Sequence, residues 1–215
     1  MTKRYLNSQC RNGVVYKYSA EWTRRLESLQ HWEFYWFQQK LMEGLSRNEK
    51  DESILEIGVG SGFAANYCRS KGFHVSTLDI DPEKKPDIVA NAVDFDFQEK
   101  YDHLMAFEIM EHMPYQEFEK IVRKIPLFIK RYAFISLPRN EISLFNFNLK
   151  IPRLPVLNWD WRILSGKIRT EAHHWELDHG NTTTERVESL FDDVGLKIEK
   201  QLAHRYIRFY ALQVD

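Results

Sequence analysis

An apolar run, Ile54-Leu55-Glu56-Ile57, leads straight into three glycines at alternate positions, Gly58, Gly60 and Gly62. Ala64-Ala65-Asn66-Tyr67-Cys68 then opens a helix. Strand, glycine turn and helix in immediate succession place the segment in a parallel α/β sheet. The glycines permit a tight turn and let a ligand approach the backbone without meeting a Cβ. The helix start adds unpaired N–H groups and the positive end of a dipole. Such a loop can also be a plain strand-to-helix turn, so its meaning depends on what surrounds it.

The surroundings favour a nucleoside. Asp79 ends the next apolar run, Val75-Ser76-Thr77-Leu78, seventeen positions after Gly62. An acid at that strand end can accept hydrogen bonds from both hydroxyls of a ribose. A bound diphosphate fits less well. The dinucleotide fingerprint is G-x-G-x-x-G, whereas this loop reads G-x-G-x-G with Phe63 in the place of the third glycine. Glu56, two residues before the first glycine, would repel a pyrophosphate but could receive an ammonium group. No Gly-Lys-Ser/Thr phosphate loop is present. The loop therefore suits a cationic or zwitterionic nucleoside.

Four stretches organise the single domain that 215 residues allow. Residues 1–50 form an N-terminal helical cap, with a helix predicted from Ser19 to Leu45 and Trp22, Leu26, Leu29, Tyr35 or Trp36, and Leu41 at helical spacing. Residues 51–138 form the cofactor-binding core, with five short strands centred on Ile54–Ile57, Phe73–Leu78, Ile88–Ala90, His103–Phe107 and Tyr132–Leu137. Residues 139–181 make a long excursion on the substrate side, without clean periodicity. Residues 182–215 supply a closing helix and two strands able to pair as a hairpin. That helix is predicted to open on a Thr182–Glu185 capping box and to end at Gly195. The expectation is a Rossmann-like, doubly wound seven-stranded α/β sheet, mostly parallel, with an antiparallel C-terminal hairpin.

Composition works mainly by exclusion. Thirty lysines and arginines against 31 acids leave a net charge of −1, without the basic excess of a nucleic-acid binder. Two cysteines, Cys10 and Cys68, make neither a disulfide framework nor a paired-cysteine zinc site. No apolar stretch suits a leader or a membrane span, so a cytoplasmic protein is expected.

The loop and its neighbours resemble the class I S-adenosylmethionine-dependent methyltransferases, in their type 11-like, small-molecule branch. Glu56-Ile57-Gly58-Val59-Gly60-Ser61-Gly62 is similar to that family's acid-x-Gly-x-Gly-x-Gly loop, which holds the methionine part of the cofactor. Asp79 matches its ribose-binding acid. Asn91-Ala92 falls where the family usually has Asp-Ala beside the adenine. Glu108-Ile109-Met110-Glu111-His112 is similar to the segment after the family's fourth strand, which would put Glu108 near the cofactor. The resemblance implies S-adenosylmethionine as cofactor and methyl transfer to a small-molecule acceptor. Two other readings stay open: a nicotinamide-dependent oxidoreductase on a similar sheet, and a non-catalytic protein that binds S-adenosylmethionine without turnover.

A base is needed only if the acceptor arrives protonated. His112, past the fourth strand of the sheet, is one candidate; its alternative is to brace the following helix. His173 and His174, in the run His173-His174-Trp175-Glu176-Leu177-Asp178-His179, are two more; their alternative is a turn that docks the excursion on the sheet. No metal site is expected in that run, because adjacent residues of a strand face opposite ways. The basic surplus of residues 139–181, interleaved with Phe145, Phe147, Trp159 and Trp161, could attract an anionic substrate or a membrane surface, but an ordinary solvated face is the expectation. All six tryptophans lie outside residues 51–138. They mark either a cover over an apolar or aromatic acceptor or two accessory segments packed together.

Overall fold

The computed structural model describes residues 9–11, 14–16, 18–45, 51–151 and 157–215. A small hairpin of β1 (Gln9–Arg11) and β2 (Val14–Tyr16) precedes two helices, α1 (Ala20–Thr23) and α2 (Leu29–Met42). Then follow β3 (Ser53–Ile57), α3 (Phe63–Lys71), β4 (His74–Asp79), β5 (Ile88–Val89) and β6 (Tyr101–Phe107). The chain continues through α4 (Tyr115–Phe128), β7 (Ile129–Pro138), β8 (Glu141–Leu149) and β9 (Leu157–Leu164), and ends with α5 (Thr184–Asp193), β10 (Leu196–His204) and β11 (Ile207–Val214).

Seven strands form the main sheet in the order β10-β11-β7-β6-β3-β4-β5. The five from β7 to β5 run parallel, and β11 joins them antiparallel to β7 with β10 outside it. This is the expected mostly parallel sheet with its antiparallel hairpin. Alternation along each strand divides the core in two. Leu55, Leu104 and Tyr210 face Phe118, Ile121 and Phe191 on one side. Their chain neighbours Ile54, Met105 and Phe209 face Phe34, Leu41 and Cys68 on the other.

Two predicted elements differ. The single helix over Ser19–Leu45 is broken, and the cap is not purely helical because β1 and β2 precede it. Ser19 does receive the Trp22 N–H at 3.2 Å, but the chain then turns and Ser28 starts a second helix by accepting from His31. The stripe on α2 that packs is Phe34, Gln38, Leu41 and Met42, whereas the predicted Leu29 and Trp36 are exposed. In α5 the cap is Thr183, whose hydroxyl accepts from the Arg186 N–H. Thr182 instead gives its N–H to the His179 carbonyl, so the predicted box does not close. Gly195 takes φ +77 just past that helix, as a terminating glycine should.

The excursion is more regular than its sequence suggested. β8 and β9 pair as a separate antiparallel ribbon, and the chain then returns to the main sheet through residues 165–181. That return limb is tied to the end of β7: the Asn140 N–H bonds to the Leu177 carbonyl at 2.8 Å and the Leu177 N–H to Pro138 at 2.9 Å.

Candidate functional site

The glycine loop is built for close approach at one position and close packing at another. Gly58, Gly60 and Gly62 all have positive φ, at +83, +55 and +77. A Cβ on Gly58 would meet the Ile109 side chain at 2.8 Å, while one on Gly60 would meet nothing within 4 Å. Gly58 thus serves packing against the segment after β6, and Gly60 keeps backbone open to the outside. The Gly58 N–H is held by the Leu78 carbonyl at 2.8 Å, which fixes where the loop leaves the sheet. From α2, the Tyr35 hydroxyl contacts the Ser61 hydroxyl at 2.9 Å and its ring stacks on Phe63 with centroids 4.3 Å apart.

Beneath the loop lies Glu56, buried at 4% exposure. It accepts from the Ala65 backbone N–H, and its Oε2 has no hydrogen-bond partner among the described residues. Burial pushes its pKa up to about 8; neighbouring Asp79 adds to the rise and Arg69 opposes it. A buried acceptor without a donor is costly and points to a donor yet to arrive.

A cavity of about 270 Å³ opens between the ends of β3 and β4, lined by Gly58, Asp79, Asn91, Ala92, Ile109 and His112 among others. The Asp79 carboxylate is already in use. It accepts from the N–H groups of Val59 (3.0 Å) and Asp81 (2.9 Å) and from the Lys84 ammonium at 3.0 Å. Lys84 also lines the cavity. The Asn91 side-chain oxygen accepts from the Val93 N–H at 3.0 Å and its amide faces Asp94, so its side chain braces its own turn.

Past β6, Glu108 adopts φ +51, a strained conformation for a non-glycine residue. Its N–H donates to the Ser136 hydroxyl at 2.9 Å, and that hydroxyl donates back to its carboxylate at 2.8 Å. Burial raises the Glu108 pKa to about 7, with Ser136 and Arg169 opposing.

The fold joins the two histidine segments that the sequence separates. His112 lines the cavity, and its Nδ1 faces the Ala172 carbonyl at 3.2 Å. The His173 ring stands edge-on to it, centroids 5.1 Å apart. His173 Nδ1 lies 2.9 Å from Glu176. Burial alone would raise the Glu176 pKa, but hydrogen bonds from His173, Asn140 and the Arg169 N–H outweigh it and hold the carboxyl below its ordinary value. His174 is exposed, and its N–H donates to the Glu111 carbonyl at 2.8 Å. Glu111, His112 and His173 bring a carboxylate oxygen and two ring nitrogens within 4.8 Å of one another, a donor set able to hold a divalent cation. The expectation of no metal-ligating group considered only residues 171–179, and this group draws on two segments.

Lys84, Ser136 and Tyr35 were missed by sequence reading. Ser136 carried a signal, a lone hydroxyl in the apolar run Phe134-Ile135-Ser136-Leu137; Lys84 and Tyr35 carried none.

Comparisons with known proteins agree with this fold. The chain is similar to magnesium protoporphyrin IX methyltransferase (ChlM) from Synechocystis PCC 6803 with bound S-adenosylhomocysteine: TM-score 0.62, 13% identity, 92% of this chain and 95% of that one. It is similar to the N-methyltransferase NodS from Bradyrhizobium japonicum WM9, at TM-score 0.60 and 8% identity over 87% and 89% of the two chains. It is also similar to a Burkholderia thailandensis 1,6-didemethyltoxoflavin-N1-methyltransferase, at TM-score 0.56 and 13% identity over 83% and 76%. No curated protein matches the sequence significantly. A family model described as "Methyltransferase domain" matches residues 29–201, and with that span the chain belongs to the methyltransferase-domain family.

Proposed function

We propose that this methyltransferase uses S-adenosylmethionine, bound at the carboxyl ends of β3 and β4, to methylate a small-molecule acceptor in the cytoplasm. The observation that carries the reading is Glu56 Oε2, a buried carboxylate oxygen without a donor directly beneath the glycine loop. A group carrying an ammonium beside a nucleoside meets that need, and a dinucleotide does not. When bound, the cofactor supplies an electrophilic methyl carbon on a sulfonium. Membership of the methyltransferase family sets the nicotinamide alternative aside.

The chain's own residues then position and take protons. Glu56 receives the ammonium, and Gly58, Gly60 and Gly62 let the methionyl part lie against backbone. Asp79 accepts the ribose hydroxyls while sharing its carboxylate with Lys84. Asn91 and Ala92 border the adenine through backbone and Cβ, since the Asn91 side chain is engaged in its turn. Glu108 stands at the cofactor's edge of the acceptor side. His112 takes the acceptor's proton if it has one; His173, steadied by Glu176, stands behind it, and His174 lies at the rim. Alignment of acceptor and methyl carbon supplies most of the rate. An acceptor with an apolar or aromatic body suits the aromatic residues Tyr18, Trp22 and Tyr35 gathered around the site.

Calorimetric titration with S-adenosylmethionine tests this. Saturable heat in the full chain that Asp79→Ala weakens at least about tenfold is expected. Absence of heat, or an unaffected variant, sinks the assignment.

A further inference from the structure

The short turn Met110–His112 and the return limb bring three metal-ligating side chains together at the edge of the cavity. Glu111, His112 and His173 each place one ligand atom within 4.8 Å of the other two. His173 Nε2 stands 3.8 Å from Glu111 Oε1. Two ligand atoms on one ion lie at most about 4.2 Å apart, twice a metal–nitrogen bond of about 2.1 Å. Side-chain shifts below about 1 Å therefore close the group on an ion. Glu111 is fully buried, so a charge set against it is little screened by water.

What makes a site of this cluster is the shell behind it. The Ala172 carbonyl can only accept, so His112 Nδ1, at 3.2 Å, donates to it and the lone pair of that ring lies on Nε2. The Glu176 carboxylate, 2.9 Å from His173 Nδ1, fixes the second ring in the same tautomer. Glu176 is itself held by the Asn140 amide and the Arg169 N–H, both at 2.8 Å. Ligating histidines are oriented in this way, the far N–H on a carbonyl or a carboxylate. Two imidazoles and one carboxylate select a first-row ion such as Zn²⁺ over Mg²⁺, which takes oxygen ligands. We propose that Glu111, His112 and His173 bind a divalent transition-metal ion at the wall of the cavity, with Ala172 and Glu176 positioning the two rings.

The site rests on the methyl-transfer reading for its use and not for its existence. Three protein ligands leave positions open on the ion, as in working centres. An ion bordering the cavity that His112 lines suits an acceptor that binds it through an oxygen, whose proton passes to water as it does so. His112 is then a ligand, and the proton-taking role given to it above belongs to the ion-free protein.

Calorimetry of the untagged full chain with zinc chloride, in the absence of S-adenosylmethionine, decides it. One equivalent should bind, and excess magnesium chloride should not compete. His112→Gln and His173→Gln should each weaken binding at least about tenfold, and Glu176→Gln about 10–100-fold with every ligand in place. His74→Ala, at an exposed histidine elsewhere, should change nothing. Circular dichroism checks that the variants fold. On the wild-type chain alone, bound Co²⁺ should show visible absorption unlike that of the hydrated ion, and Zn²⁺ should abolish it. Absence of zinc binding overturns the site and leaves His173 as a protonated bridge between Glu111 and Glu176. Binding that survives both histidine substitutions, or that magnesium matches, overturns it as well. Zinc binding without S-adenosylmethionine binding upholds the site and sinks the methyl-transfer reading; cofactor binding without zinc does the reverse.

Discussion

Trp175 and Trp159 belong to the same excursion from the sheet, yet they meet opposite fates. Trp175 is buried, packs on Phe118 with centroids 4.8 Å apart, and gives its N–H to the Met113 carbonyl at 3.1 Å. Trp159 is exposed on a ribbon in which, among the described residues, each strand pairs with the other alone. A tryptophan-rich segment is therefore not one thing. The return limb is an extension of the core, whereas the ribbon is a surface, and the aromatic surplus divides between them. The first way to break this comparison is Trp175→Ala, which should cost about 3–5 kcal/mol of unfolding free energy. A urea midpoint no lower than that of a ribbon variant would show that the return limb is not part of the core.

The glycine loop gives the next largest effect, inside the core region alone. Gly58→Ala meets both a positive φ and the Ile109 side chain at 2.8 Å, so a loss of about 2–4 kcal/mol is expected. Gly60→Ala meets only the positive φ of +55, for about 1 kcal/mol. If Gly60 instead lies against a ligand, its variant should lose cofactor affinity out of proportion to stability, and Gly58→Ala should not show that split. Denaturant melts beside calorimetric titrations read both.

The core was legible in the sequence because each of its strands is a short apolar run bounded by a turn, and burial on both faces enforces that pattern. The same holds for Glu56, Asp79 and the glycines, which one continuous segment and one strand end deliver together. The joining of His112 with His173 was not legible, since it depends on the return limb meeting the residues after β6, which no local pattern encodes. The ribbon was legible in principle. Phe145-Asn146-Phe147-Asn148-Leu149 and Leu157-Asn158-Trp159-Asp160-Trp161 alternate strictly, the period of a half-covered strand. The segment looked irregular because it lacks the core that usually accompanies such a pattern. The helix break at Ser28 and the cap at Thr183 are one-residue decisions among competing hydroxyls, made by tertiary packing.

Glu56 and Asp160 extend the comparison to charge. Hydrogen bonds from Ser143 and then Arg162 hold the Asp160 carboxyl below its ordinary value, on an open surface. Glu56, buried, is raised from 4.5 to about 8. With a raised folded value, the stability contributed by neutral Glu56 is fully present below about pH 4.5 and is lost as pH rises through about 8. Glu56→Gln should remove that pH dependence and stabilise the ligand-free protein at alkaline pH by about 2 kcal/mol. It should also weaken S-adenosylmethionine binding at least about tenfold, because the ammonium loses its carboxylate. Wild-type binding below pH 8 should release a proton, seen as a dependence of the calorimetric heat on the buffer's ionisation enthalpy. A variant that loses stability and keeps affinity would place Glu56 among ordinary core residues.

The smallest expected effect lies at Trp159. Trp159→Ser should change global stability by less than about 0.5 kcal/mol, because the side chain surrenders little burial on unfolding. Cross-strand pairing with Phe147 is worth about 0.2–1 kcal/mol, but to the ribbon and not to the whole domain. The two quantities separate in hydrogen exchange. Amides of β6 and β7, in the middle of the sheet, should exchange only by global unfolding, and those of β8 and β9 by local opening at a much lower cost. Trp159→Ser should then speed exchange in the ribbon while leaving β6 and β7 unchanged. Uniform protection across β6 and β8 would mean that the ribbon shares the core's stability, and the contrast between Trp175 and Trp159 would fail at its weaker end.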